Sequence, residues 1–339
     1  MSIVKFALYA AALSTTAHSA FAQEMPDVSW NVSMHGNPRG ITAGIEEVAK
    51  FVEENTQGSF KIKLNYGEAL SPAKETIDGI QIGAFEMALM CASYHPGKTP
   101  SLMVLDLPML PIDNMDTKIA VHEAVFQHPQ VKQELAKWDA DVYMSALTQT
   151  SEFMGVGEAP TELNDWKGRV VRAPGGLGEA MSAIGATPTT VPAPEVYTAL
   201  ERGTVNAVSF PFTTAHVAFG VHDVAKWYTD NMAPGTTGCQ IIMSKSAWDN
   251  LPENYQQIMM DAKAPAYEAL KARYEADDEE NLKMLEERGL EKVSYSPETL
   301  KAFQDSAAKP VWDNWVNETS NAGVPAQELL DLVIETSSE

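Results

Sequence analysis

The sequence predicts an α/β protein built from two open lobes. Three observations carry this. Alternating and helical apolar periods follow one another as β-α-β-α-β from Val28 to Tyr94. The same pattern restarts at Gly168 after an intervening helical region. A strongly helical stretch over 251–288 is interrupted only by Pro265, and at about 1.5 Å per residue it is too long for one small lobe.

Element by element, VSWNVSM places Val28, Trp30, Val32 and Met34 on one face of a strand, and HGNPRG follows as a loop. ITAGIEEVAKFVEENTQG carries Ile41, Ile45, Val48 and Val52 at helical spacing and stops at Gly58. FKIKLNY alternates again. SPAKETIDGIQIGAFE reads as a helix with Ser71 as its cap, and EMALMCASY as a buried strand. Helices are expected over about 114–138 and a strand over 141–147. In the second series GRVVRA is a strand, GGLGEAMSAIG a helix, ATPTTV a short strand, APEVYTALERG a helix and TVNAVSF a strand. Helices rich in Trp and acids close the chain.

With 339 residues the chain can hold two domains, each with its own core. Its start, MSIVKFALYAAALSTTAHSAFAQ, has one Lys, a short apolar run and small residues at Ala20 and Ala22, the pattern of a secretory leader cleaved after Ala22. The run is too short and too broken by polar residues to read as a membrane span. The formal charge is −22, or −23 once Lys5 leaves with the leader. That argues against nucleic-acid partners, which need a basic footprint. It also makes each of the six arginines informative. The two cysteines, Cys91 and Cys239, lie in apolar, strand-like surroundings and are expected as buried free thiols, although an exported protein permits a disulfide.

Signatures of catalysis are missing: the chain has no GxSxG, HExxH, P-loop or GxGxxG pattern. His122/His128 and His216/His222 are six apart and face different sides of a helix. His35 and His95 each follow a predicted strand, where a structural and a functional histidine are equally in keeping. The informative segment is KGRVVRAPGG, 167–176. On a strand, Arg169 and Arg172 point to opposite faces. Arg172 ends the strand just before Pro174-Gly175-Gly176, where open α/β sheets bind ligands and a helix N-terminus adds positive character. It is placed to fork onto a carboxylate or, alternatively, to pair with a local acid.

These residues also carry a resemblance. Lys167, Gly168 and Arg172, then Glu195-Val196-Tyr197-Thr198-Ala199-Leu200 with Gly203, resemble the DctP-like solute-binding proteins of TRAP transporters; so do TQGSFKIKLNYGEAL, Ile80-Gln81-Ile82-Gly83-Ala84 and Leu105-Asp106-Leu107-Pro108. The resemblance implies a periplasmic-binding-protein fold: two α/β lobes joined by a hinge, with a long helix along both. It implies an N-terminal lobe over 23–147 that also takes about 236–265, and a second lobe over 148–235. The long helix covers 251–288, and C-terminal helices over 289–339 pack on the lobes. It implies a non-enzymatic periplasmic protein that hands an organic acid to an ion-gradient-driven permease. A monomer is the default expectation, no cofactor is expected, and the sequence has no dedicated acid cluster for a metal.

In that family pattern Arg172 pairs the ligand carboxylate and Arg169 stays exposed. Around Arg172 the resemblance suggests Phe210, Tyr94, His35 and Asn37, with Gln149, Pro174 and Ser209 as further contacts. One firm cation among several rings favours a monocarboxylate with an apolar or aromatic body. A C4-dicarboxylate, a betaine-like zwitterion and a subunit feeding a sensor are the alternatives. Phe210 and Phe212 fit core or hinge packing as well as a ligand wall.

Overall fold

The computed structural model describes residues 26–338. The leader and its cleavage point after Ala22 lie outside the described residues. Eleven strands occur in chain order: β1 (Val28–Ser33), β2 (Phe60–Asn65), β3 (Met87–Cys91), β4 (Ala140–Ser145), β5 (Ser151–Gly155), β6 (Val170–Arg172), β7 (Thr187–Thr189), β8 (Ala207–Pro211), β9 (Trp227–Thr229), β10 (Cys239–Ser244) and β11 (Glu291–Val293). They form a five-stranded sheet of order β2-β1-β3-β10-β4 and a six-stranded sheet of order β11-β9-β5-β8-β6-β7.

Alternation along β1 and β2 sets the first sheet. Trp30, Val32, Phe60 and Ile62 are buried while Lys61 points to solvent, and the two strands pair in parallel register. The helix Ala43–Asn55 lays Ile45, Val48 and Val52 on this sheet, and Gly58 at φ 82° turns the chain into β2. Apolar layers cover both faces of each sheet, so each lobe has its own core. The lobes are tied by exchange: β10 returns after the second series and inserts antiparallel between β3 and β4. The chain therefore crosses between lobes at 146–150 and at 230–238.

Four expectations change. The helix expected over 251–288 is two, Glu253–Asp261 and Lys263–Glu287, with the break at Ala262. Pro265 is the reason: its ring would meet the carbonyl of Asp261 in a continuous helix, so the helix restarts with Pro265 in its first turn, where no N–H is needed. The second helix, about 37 Å long, still spans both lobes. Tyr267, Leu270 and Tyr274 join the first lobe's core and Leu285 the second's. The helix after β2 shrinks to Thr76–Gln81, and Ser71 is not its cap: the Ser71 hydroxyl bonds that of Ser33 at 3.0 Å. The C-terminal segment also contributes a strand, β11, parallel to β9.

The fourth change is at the cysteines, which are bonded to each other and not free thiols. Cys91 ends β3, Cys239 begins β10, and the two stand opposite in the antiparallel register. Only the insertion of β10 beside β3 brings them together, across a sequence separation of 148. Among the described residues no helix is long and apolar enough to cross a membrane.

Candidate ligand site

A cavity lies where strand ends of both lobes meet. It has ≈ 40 Å3 of water-accessible interior within ≈ 460 Å3 of atom-free space that includes its mouth. Arg172, the last residue of β6, reaches it and is buried, 3% exposed. The guanidinium donates from Nε to the Val191 carbonyl at 3.0 Å, from Nη1 to the Ser209 carbonyl at 2.8 Å and from Nη2 to Tyr94 Oη at 2.9 Å. Its carbon lies 4.6 Å from the centre of the Phe210 ring. A guanidinium has five N–H groups, so one on Nη1 and one on Nη2 are left over. No acid pairs with Arg172 among the described residues; burial lowers its pKa, and the Tyr94 hydroxyl opposes that. Among the described residues the site thus holds a buried cation with two uncommitted N–H groups and no paired acid.

The opposite wall comes from the first lobe. Tyr94, in the turn after β3, accepts from Arg172 and from the Ala193 N–H at 3.0 Å, so its hydroxyl joins the lobes. His35 follows β1, with its ring 6.0 Å from that of Tyr94 and its Nδ1 without a partner. Burial first, then the Arg39 charge, push the His35 pKa down to about 3, with Arg172 adding to the effect, so the ring is a neutral imidazole.

Arg39 is the residue that sequence reasoning missed. It is 5% exposed, lines the same cavity, and rests 4.9 Å over Phe219. Its Nη1 donates to the His35 and Asn37 carbonyls, both at 2.9 Å. The expectation of a single cation at the site is therefore corrected to two. The only sequence signal for Arg39, an arginine in a loop just beyond a strand end, does not separate an inward arginine from a solvated one. Gly40 is required beside it, because a Cβ there would overlap the ring of Tyr274, which also lines the cavity.

Of the residues expected at the site, Arg172, Phe210, Tyr94 and His35 line the cavity together. Phe210 also stacks on Phe219, 5.2 Å between centres, and is part of the second lobe's core. Asn37 is exposed and contributes only its carbonyl, to Arg39. Gln149 faces the hinge side, where its amide bonds Asp278 at 2.5 Å and receives Thr214 Oγ1 at 3.4 Å. Ser209 supports Arg172 through its carbonyl, and Pro174 is buried outside the cavity lining. Phe212 stacks on Tyr228, 5.8 Å between centres. His95 bonds Thr76 at 3.1 Å. Arg169 bonds the carbonyls of Asp165 and Glu158, both at 2.7 Å. The Gly175–Gly176 turn meets Asp106 of the first lobe and not the cavity: a Cβ on Gly176 would overlap the Asp106 backbone. Among the described residues no group of three or more His, Cys, Asp or Glu could hold a metal ion.

Two α/β lobes, a strand exchanged between them at the hinge and a donor-rich cavity between strand ends are the architecture of a two-lobed binding protein. The sequence model of the bacterial extracellular solute-binding protein family 7 (DctP) matches residues 33–319, and the chain belongs to that family. Its members are substrate-binding receptors of transporters, not enzymes. A monocarboxylate 2-oxoacid-binding periplasmic protein of Nostoc sp. is 26% identical over 307 residues, 86% of this chain and 84% of that one. Among solved structures, a marine metagenome TRAP solute-binding protein specific for aromatic acid ligands, in complex with 3-hydroxybenzoate, superposes with a TM-score of 0.82. It is 19% identical, with 92% of this chain and 98% of that one covered. The sugar acid-binding DctP protein of Advenella mimigardefordensis, in complex with galactonate, gives 0.80 at 18% identity, covering 93% and 99%. The chain is thus a solute-binding protein of the DctP type that serves TRAP transporters.

Proposed function

We propose that the ligand is a compact monocarboxylate whose carboxylate forks onto Arg172 and whose body lies against Phe210. One observation carries this reading: Arg172 is buried with three N–H groups spent on the protein and two left over, with no acid to take them. The ≈ 40 Å3 interior favours a small body. The relative from Nostoc sp. is named for monocarboxylate 2-oxoacids and the marine relative for aromatic acids, which supports a single carboxylate as the common element.

Capture follows from the placement of the walls. In the open protein Arg172 is hydrated. As the lobes close, Tyr94 and His35 arrive from the first lobe and water leaves, which strengthens the Arg–carboxylate pair. Closure and affinity are therefore one event. The protein acts as a monomer in the periplasm, released from its leader after Ala22, and presents the closed form to the permease.

The test is a thermal-shift screen of leader-free, ligand-stripped protein against aromatic monocarboxylates, 2-oxo acids, C4-dicarboxylates and betaine-like zwitterions. A ligand at one hundred times its Kd adds about 2.7 kcal/mol of stability. Shifts with small monocarboxylates support the reading. Shifts confined to dicarboxylates or to zwitterions, or none at all, refute it.

A further inference from the structure

We infer that Arg39 and Tyr274 form a second ligand-binding pole facing Arg172 from the other lobe, and that the acid carries a second acceptor oxygen (oxo or hydroxyl) a few bonds from its carboxylate. This rests on the carboxylate lying at Arg172.

Three observations carry it. First, Arg39 is buried at the cavity wall without an ion pair among the described residues. Glu46, an acid near enough to influence it, spends Oε1 on Thr42 at 2.5 Å and on Tyr66 at 2.6 Å. Second, its two hydrogen bonds to the loop both leave from Nη1. The Nε–H and both Nη2–H groups are not needed to hold the loop, so a merely structural role uses less than half of the donor set. Third, Tyr274 lines the same cavity, and its Oη is buried with no hydrogen-bond partner among the described residues. A buried hydroxyl without a partner is costly and marks a place for one. The pole is built on purpose: Gly40 leaves the room that the Tyr274 ring occupies.

Charge points the same way. Closing the lobes brings two guanidinium groups, with neutral His35 near both, into one buried cavity. A carboxylate on Arg172 answers one of them. An acceptor oxygen on the Arg39 side answers the other, and an acid with a purely apolar body leaves it unanswered.

The experiment is calorimetric titration of leader-free protein with butyrate, 2-oxobutyrate and 2-hydroxybutyrate. The wild type is expected to prefer at least one oxygenated acid over butyrate by about 10- to 100-fold, the range for a hydrogen bond to a charged group. Arg39→Gln keeps donors for the loop but not the charged fork, and Tyr274→Phe removes a hydroxyl that no protein group uses. Each should pull that ratio toward one, with Arg39→Lys restoring part of it. If Arg39 only supports the loop, its variants weaken all three acids equally and the ratio stays, which overturns the inference. Butyrate bound as well as the oxygenated acids by wild type overturns it too, while leaving the Arg172 reading intact. Failure of Arg172→Ala to weaken any acid, or failure of all three acids to bind, overturns the Arg172 reading itself.

Discussion

Replacing Arg172 is the sharpest perturbation of the site. Arg172→Ala removes a cavity-lining cation with two uncommitted donors and strips the charge from the Phe210 face. Two charge-assisted hydrogen bonds are together worth about 3 kcal/mol or more, and leaving a carboxylate buried and unpaired costs about 2–5 kcal/mol. The expected loss is therefore roughly 30- to 4,000-fold in Kd. Arg172→Lys should lose nearly as much. An ammonium has only three donors, and the Val191 carbonyl, the Ser209 carbonyl and Tyr94 Oη already claim as many. Arg169→Ala is the control, since that side chain bonds only the carbonyls of Asp165 and Glu158. The assay is calorimetric titration with the best acid from the screen, after a melt confirms that each variant is folded. Binding by Arg172→Ala within a few-fold of wild type would refute the clamp.

Other outcomes follow from the same structure. Burial pushes the Asp106 carboxyl up to about 7, with Oδ1 taking the Gly238 N–H and Oδ2 unpartnered. The folded state then keeps a proton that the unfolded chain sheds near pH 4, so this group's contribution is full below pH 4 and lost as pH rises through 7, by an amount on the order of 4 kcal/mol. Urea melts of wild type and Asp106→Asn between pH 4 and 7.5 should diverge, the variant losing less stability as pH rises; parallel curves would sink the idea. Reducing the Cys91–Cys239 bond should lower stability by up to about 5 kcal/mol on the chain-entropy argument, and should weaken the ligand as well, since both cysteines line the cavity; an unchanged Tm after reduction contradicts this. Gly40→Ala should destabilise by about 1–3 kcal/mol because its methyl overlaps Tyr274, which a thermal melt would register as a lower Tm.

Much of the fold was legible because its periods are local. Trp30/Val32 and Phe60/Ile62 alternate, and Ile45/Val48/Val52 repeat at helical spacing, so each element announces its own buried face. The exchange of β10 was harder to read, since an antiparallel strand between β3 and β4 depends on contacts far apart in the chain. The disulfide was hidden for the same reason. Its partners are apolar strand residues whose juxtaposition exists only once β10 has inserted. β11 is three residues long, too short for a period to show. At the site, Arg172 was legible as a cation on a strand end before a Pro-Gly-Gly turn. Arg39 sits on a loop, and nothing local distinguishes a loop arginine that turns inward from one that is solvated. What turns it inward is the pairing of its Nη1 with two carbonyls of its own loop and the presence of Phe219 from the other lobe. Asn37 and Gln149 were plausible by type, but their side chains were claimed by solvent and by Asp278.

The most direct measurement is a crystal structure of leader-free protein with the acid that gives the largest thermal shift. The account predicts a carboxylate with its two oxygens about 2.7–2.9 Å from Nη1 and Nη2 of Arg172, Tyr94 and Ala193 still joined across the lobes, and the rest of the ligand against Phe210. A carboxylate held elsewhere, with Arg172 bonded only to Val191, Ser209 and Tyr94, would contradict it.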